Sequence, residues 1–499
     1  MITYLKSQIL KNNCSLIITA IILIWSVGIR CYWFTQKDGM DGDEVLSFVL
    51  CNRNAPTWDY QLIGNLTGTE IKSLTMINDT SLKDALSDLW KMYITTRDAQ
   101  HTNFYYSLLR LSIIGLDSVD IKDINTRAFI LNLLFFLVEF FFYVKLLSVY
   151  FNNSKFSYFV GLLCFGLMAG GISNTMLNRD YPLQEMSYVI LAYYITRIVI
   201  KLRNNEYGFT KRDFCLITLS LTCALFTGYF ALFFVFFLGL FLLKELYDLG
   251  LIVKGLKFFG IALLSSIFIC SLLYHRYYMG FLGDGRIKEM IFGEGALVRV
   301  FNSLENYCKI INIYTLYLSV IIVLFMVAMF KYRLVKKVPW VFWPTLIYSI
   351  FIFIIAPYKV NRYIVAATPI LLLLIPYFGK TISNVWFRRV VLSFISVVYI
   401  LGSFDQTRIN TLSRNNELKE ILSENNITIV QSNGAWQIAS LFPYMNDKVK
   451  YNITKEIEPQ KYMTNDIVAI DNKILIDKKY ISNLQLLYSQ TYFDFYRVK

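Results

Sequence analysis

The stretch SLIITAIILIWSVGIRCYWF, residues 15–34, and the acidic run Asp41-Gly42-Asp43-Glu44 that follows it decide how this chain is read. About 20 consecutive apolar residues span the hydrocarbon core of a bilayer as a helix. Residues 15–34 meet that length and show no small-residue cleavage site, so they read as an uncleaved first span. The carboxylates then fall just beyond the membrane. Acids held near a bilayer are costly and mark function.

The rest of the chain repeats the first half of that pattern. Of its 499 residues 56% are hydrophobic, 17% aromatic and only 17% charged, a composition too apolar for a soluble protein. Apolar stretches near 15–34, 128–151, 156–176, 183–201, 214–227, 229–244, 256–275, 310–330, 340–356, 363–379 and 388–403 predict about eleven transmembrane helices. Gly228, between two short stretches, reads equally as a tight turn or a kink.

Net charge is +14, and its placement reports topology. Lys6, Lys11, Lys201, Arg203, Lys211, Arg212, Lys244, Lys254, Lys257, Lys331, Arg333, Lys336, Lys337, Arg388 and Arg389 all fall on one side of an eleven-span chain. The positive-inside rule makes that side cytoplasmic, together with the N-terminus. A nucleic-acid partner is unnecessary. An odd number of spans leaves residues 404–499 outside, beyond a membrane domain of residues 1–403, and the size suits a bacterial cytoplasmic (inner) membrane.

Eight scattered cysteines without a C-x-x-C pair, and two histidines, argue against a structural zinc site. Cys51 and Cys308 both fall outside, and the sequence leaves their pairing open.

The first outside loop, residues 35–127, carries helical patterns. Val45 to Leu50 predict a short helix after the acids. Leu82, Ala85, Leu86, Leu89, Trp90 and Tyr93 recur at helical spacing opposite Lys83, Asp84, Asp88 and Lys91, as in a helix lying in the membrane interface. A third helix is expected from Asn103 to Ile114. In the last hundred residues, helices near 417–424 and 435–441, a strand at 427–430, and a hairpin of 467–470 with 473–476 about Asp471-Asn472 predict a small α/β domain.

Four outside clusters carry candidate chemistry. Asp43-Glu44, with Asp41 before it, suits a catalytic base and equally suits a helix N-cap. His101 and Tyr105 precede an apolar helix, where such residues also serve as interface anchors. Arg179-Asp180 sits in the second outside turn, which is also where a solvated turn would stand. Lys359, Arg362 and Tyr363 place cations in a short outside turn, against the positive-inside trend, so they call for an anion such as phosphate.

An acidic pair in the first outside loop, a His-x-x-x-Tyr-Tyr helix, an Arg-x-Tyr turn and a late Arg-Tyr followed by Pro resemble the glycosyltransferase C superfamily. The protein O-mannosyltransferase and lipid A aminoarabinose transferase group is nearest in pattern. The resemblance covers roughly residues 10–405. It implies transfer of a sugar from a polyprenyl-phosphate carrier to a lipid, glycan or protein acceptor at the outer face. By the same resemblance Asp43 is the base, Glu44 braces the site and Asp180 is the second acid. Arg179, Lys359 and Arg362 face the carrier phosphate, and His101, Tyr105 and Tyr363 belong to substrate binding. His101 stands where the family often has His-Pro-Pro-Leu-Tyr-Tyr, and Thr102 and Asn103 replace both prolines. Fixed cations serve the phosphate, so no cofactor is required, although a divalent cation is compatible with this chemistry. Two other classes stay open: a lipid or sugar transporter, for which Glu139, Lys145, Glu185 and Arg197 are the intramembrane charges, and an envelope polysaccharide polymerase or ligase.

Overall fold

Long runs of Leu, Ile, Val and Phe without period-2 alternation satisfy their backbone groups internally as helices. The structure is a computed structural model and describes residues 13–37, 40–51, 62–75, 79–94, 102–116, 121–152, 154–204, 206, 208–275, 277, 305–309, 338–355, 362–409, 415–424, 426–431, 437–438, 440–458, 461–476, 482–489 and 493–499. It divides into two units. Unit 1 comprises Met1–Phe34, Asp98–Tyr105 and Phe129–Asn410, and unit 2 comprises Thr35–Arg97, Tyr106–Ala128 and Thr411–Lys499.

In chain order the elements begin with α1 (Asn13–Thr35), α2 (Gly42–Cys51), β1 (Gly64–Thr67), α3 (Gly68–Thr75), α4 (Leu82–Ile94), α5 (Phe104–Ser112) and α6 (Ile121–Phe151). The bundle continues with α7 (Lys155–Gly166), α8 (Ala169–Met176), α9 (Tyr181–Arg203), α10 (Lys211–Leu225), α11 (Phe230–Asp248) and α12 (Ile252–Leu273). Then come α13 (Phe342–Ile355), α14 (Arg362–Val365), α15 (Thr368–Leu371), α16 (Leu374–Thr381) and α17 (Val385–Gly402). After α18 (Asn416–Ile421) the chain is mostly strand: β2 (Ile427–Val430), β3 (Lys450–Thr454), β4 (Ile467–Asp471), β5 (Leu484–Ser489) and β6 (Phe493–Val498).

Unit 1 is a helical membrane domain. Among the described residues α1, α6, α11, α12 and α17 are long and apolar enough to cross a membrane, and α7 with α8 make a sixth span if that pair, bent by 41°, counts as one. Of the eleven expected spans, five or six are therefore met by length and composition among the described residues. Residues 214–227 fold as the 15-residue α10 and residues 340–356 as the 14-residue α13. The stretch 363–379 breaks into α14, α15 and α16, with Pro369 at the start of α15, because proline has no N–H to continue a helical ladder. α9 is as long as α1 but carries Glu185, Arg197, Lys201 and Arg203. The stretch 310–330 lies outside the described residues. Gly228 makes a turn between separate helices, with φ at 155°, a region costly for any residue with a Cβ.

Unit 2 contains a six-stranded mixed sheet in the order β1-β3-β2-β4-β6-β5. β3, β2 and β4 run parallel, and the outer pairings β1–β3, β4–β6 and β6–β5 are antiparallel. β2 (ITIV) and β4 (IVAID) are buried at every position, as strands covered on both faces should be. β1 comes from the first outside loop and pairs Gly64 with Ile453 and Thr67 with Lys450. The expected 473–476 strand is absent. Asp471 instead accepts from Lys473 N through Oδ1 at 3.1 Å and from Ile474 N through its carbonyl at 2.8 Å, while β2 and β6 occupy both edges of β4. No disulfide joins Cys51 to Cys308.

α4 forms where expected, with its faces reassigned. Leu82, Leu86, Trp90 and Ile94 make an exposed apolar stripe. Asp88, expected on the polar face, is wholly buried, because the equally buried Arg110 of α5 donates to its Oδ2 at 2.7 Å and to Asp84 Oδ2 at 3.1 Å. Truncation of a fully buried β2 side chain, Ile429→Ala, is expected to destabilise the sheet by about 2–5 kcal/mol. Thermal unfolding of the full chain in detergent would read it as an earlier transition.

Candidate active site

Each acidic candidate is placed by a helix start. α2 opens with Asp41 as its N-cap. Asp41 Oδ1 accepts from Asp43 N at 3.1 Å, and Glu44 Oε2 accepts from Asp41 N at 2.8 Å. Glu44 also forms an ion pair with Lys37, and both side chains are fully buried. The acidic pair therefore divides. Glu44 caps the helix and neutralises Lys37, while Asp43 contributes its N–H to the cap and keeps a half-buried side chain. Lys37 stands outside α2, so no helical spacing along the sequence announces its pairing with Glu44.

In unit 1 the Asn178-Arg179-Asp180 turn is buried throughout, at 0%, 5% and 4% exposure. Such a turn survives inside an apolar bundle only when its polar groups are held. Asn132, a single amide in the apolar run of α6, donates from Nδ2 to Leu177 O at 2.8 Å and accepts from the Tyr105 hydroxyl at 3.2 Å. Tyr105 is 1% exposed, so it sits where it supports the turn through Asn132. Thr102 donates to the carbonyl of Phe226, and Phe104 stacks on the Phe226 ring at 4.7 Å. A Cβ at Gly228 would lie 3.7 Å from Asp180 Oδ2, so the glycine turn passes directly beside that carboxylate. Two residues on, Phe230 packs edge-on against the buried Tyr363 ring at 5.2 Å. α14, which carries Arg362 and Tyr363, packs on α8 and α9.

Tyr105, Arg179, Asp180 and Tyr363 are thus gathered within unit 1, around the turn before α9 and the Gly228 turn. Asp43 and Glu44 belong to unit 2. His101 and Lys359 lie outside the described residues, and of Arg362 the backbone alone is described. Asn132 has a legible signal, a lone amide in an apolar span, whereas Gly228 reads in the sequence as a tight turn or a kink, with no sign of the carboxylate beside it.

A second polar cluster lies deeper in unit 1. Arg30, 1% exposed, donates to Ser26 O at 3.0 Å, Gly166 O at 2.7 Å and Thr175 Oγ1 at 3.1 Å, and its guanidinium carbon lies 3.5 Å from the Phe136 ring centroid. Glu139 and Glu185 interact electrostatically with it, and Glu185 accepts from Asn174 Nδ2 at 2.6 Å. Two of the four intramembrane charges weighed for a transport path are therefore gathered about one cation. Among the described residues no three His, Cys, Asp or Glu side chains gather as a metal site.

No protein-family model matches the chain, and no curated protein matches it at a significant level. Solved structures do. The archaeal oligosaccharyltransferase AglB from Archaeoglobus fulgidus, in complex with an inhibitory peptide and a dolichol-phosphate, aligns at a TM-score of 0.50 and 11% identity over 92% of this chain and 70% of that one. The two chains share a fold. ArnT from Cupriavidus metallidurans bound to undecaprenyl phosphate aligns at a TM-score of 0.47 and 11% identity, over 90% of this chain and 96% of that one.

Removing one partner of a buried ion pair strands the other charge. Glu44→Gln is therefore expected to cost roughly 3–5 kcal/mol through the orphaned Lys37. The double variant Lys37→Met/Glu44→Gln should recover most of that loss, and a double-mutant cycle on thermal unfolding measures the coupling. Asn132→Leu takes the Nδ2 donor from the buried Leu177 carbonyl, which keeps Arg179 N at 2.9 Å, and the Oδ1 acceptor from the Tyr105 hydroxyl, and is expected to cost roughly 1–3 kcal/mol in the same assay.

Proposed function

We propose that this integral membrane protein is a glycosyltransferase that moves a sugar from a polyprenyl-phosphate donor to an acceptor hydroxyl at the extracytoplasmic face. The observation that carries the reading is the fold shared over 92% of the chain with an oligosaccharyltransferase whose complex holds a dolichol-phosphate. The buried Arg179-Asp180 turn supports it, because charged groups kept inside an apolar bundle mark sites that meet charged or polar substrates.

In this mechanism the acceptor oxygen attacks the anomeric carbon, the bond from that carbon to the phosphate oxygen breaks, and polyprenyl phosphate departs as an anion. Asp43 takes the hydroxyl proton, a contribution of roughly 10²–10⁴-fold. Glu44 holds the start of α2 and so the direction of Asp43. Arg179, Lys359 and Arg362 bind the carrier phosphate, where arginine's planar fork suits two oxygens at once. Asp180 is the second acid, Tyr105 supports its turn, and His101, Tyr105 and Tyr363 belong to substrate binding. A single base with no covalent nucleophile inverts the anomeric centre. The fixed cations meet the growing charge on the phosphate without a metal. The acceptor is a lipid, glycan or protein. The exposed apolar stripe of α4 suits the membrane interface, and the positive-inside rule makes the side on which cations gather, with the N-terminus, cytoplasmic.

Asp43→Asn is expected to lower turnover from a polyprenyl-phosphate-linked sugar by at least about 10²-fold with an unchanged melting transition. Wild-type turnover in that variant sinks the assignment of the base. Mass spectrometry of lipid co-purifying with the protein should find a monosaccharide on a single polyprenyl phosphate. A diphosphate-linked oligosaccharide there would instead favour a polymerase or ligase.

A further inference from the structure

The basic residues at the end of unit 1 far from Asp180 do more than record topology. Arg197, Lys201 and Asn204 recur at helical spacing along the last turns of α9 and share one face. That face and the first turn of α10 enclose a cleft of about 410 Å³, whose wall also includes Glu206, Arg212 and Asp213. The cleft is a separate place from the candidate active site, since Arg197 lies about 25 Å along the helix from Asp180 at 1.5 Å per residue.

Its charges do not cancel locally. Lys201 and Asp213 satisfy each other at 2.9 Å, and Asp213 is further engaged by Thr210 in the capping box of α10. Arg197 and Arg212 make no hydrogen bond or ion pair with the described residues. Lys145 of α6, its ammonium 4.1 Å from the Phe141 ring centroid, lies within electrostatic reach of both arginines. Against these three cations the wall offers a single acid outside the Lys201–Asp213 pair, Glu206. Like charges converging on one concavity repel unless an anion sits between them. Two arginine forks suit the oxygens of a phosphate. Lys145 stands near the end of a membrane-crossing helix, which sets the cleft at head-group depth.

We propose that this cleft binds a phosphate-bearing anion, supplied either by the head group of an acidic phospholipid or by a soluble phosphate ester. Arg197 and Arg212 grip the phosphate, Lys145 adds attraction, and Glu206 limits the affinity. A bound anion would cross-brace α6, α9 and α10 at the end of the bundle remote from the sugar chemistry.

The test uses the full chain in neutral detergent, with native mass spectrometry and thermal unfolding as readouts. The probes are phosphatidylglycerol, phosphatidylcholine as the zwitterionic control, and free glycerol phosphate. Wild-type protein is expected to retain phosphatidylglycerol or glycerol phosphate over phosphatidylcholine and to melt later in its presence. Since each basic residue near an anionic surface contributes a factor of about five, Arg197→Gln/Arg212→Gln should weaken retention at least about tenfold. Arg197→Lys/Arg212→Lys should keep most of it, and Glu206→Gln should tighten it. Phosphatidylglycerol acting where glycerol phosphate does not identifies a lipid source, and the reverse a soluble one. Equal retention of all three probes by wild type, or unchanged retention in the folded Gln variant, overturns the proposal.

Discussion

One buried guanidinium organises unit 1. Arg30 donates to backbone carbonyls of α1 and α7 and to a hydroxyl of α8, and stacks over a ring of α6. A cation inside an apolar bundle is costly unless its donors and charge are met, and these contacts meet them only in one arrangement of the four helices. The bond to Gly166 O needs a close approach of α1 and α7, and a Cβ at Gly166 would collide with the Ser26 hydroxyl. With α8 so held, the neighbouring Asn178-Arg179-Asp180 turn has a fixed platform. Asn132 then adds a second donor to the Leu177 carbonyl, which also accepts from Arg179 N within that turn.

The same economy of polar groups runs through the first outside loop. Arg110 and Asp88 are both fully buried within unit 2, and their pairing turns the apolar stripe of α4 outward. An amphipathic helix normally buries its apolar face, so this reversal marks α4 as a surface made for an apolar medium. Glu44 shows the same logic at shorter range. One carboxylate serves both the cap of α2 and the charge of Lys37.

The legibility of these features from sequence differs by physical cause. Apolar length is local, so α1, α6, α11, α12 and α17 stand close to where hydropathy puts them. Broken helices are less legible. Pro369 signals one break, and Gly166, Gly170 and Gly171 flank another, but the 41° angle between α7 and α8 is not written in those residues. Strand pairing is less legible still, because β1 is four residues of GNLT whose partner lies in β3, nearly four hundred positions away. The 471–476 segment illustrates the converse. A good hairpin signal fails when both edges of the strand are already taken.

The sequence by itself determined the membrane class and the short list of candidate acids and arginines, since apolar length and residue type need no partner. Only the tertiary structure decided which of those residues stand together. It set Tyr105 behind Asn132, brought the Gly228 turn beside Asp180, gave Glu44 to Lys37, and left Arg197 and Arg212 facing one cleft. Buried polar groups choose their partners by satisfying hydrogen bonds and charge in three dimensions, and spacing along the chain does not encode that choice.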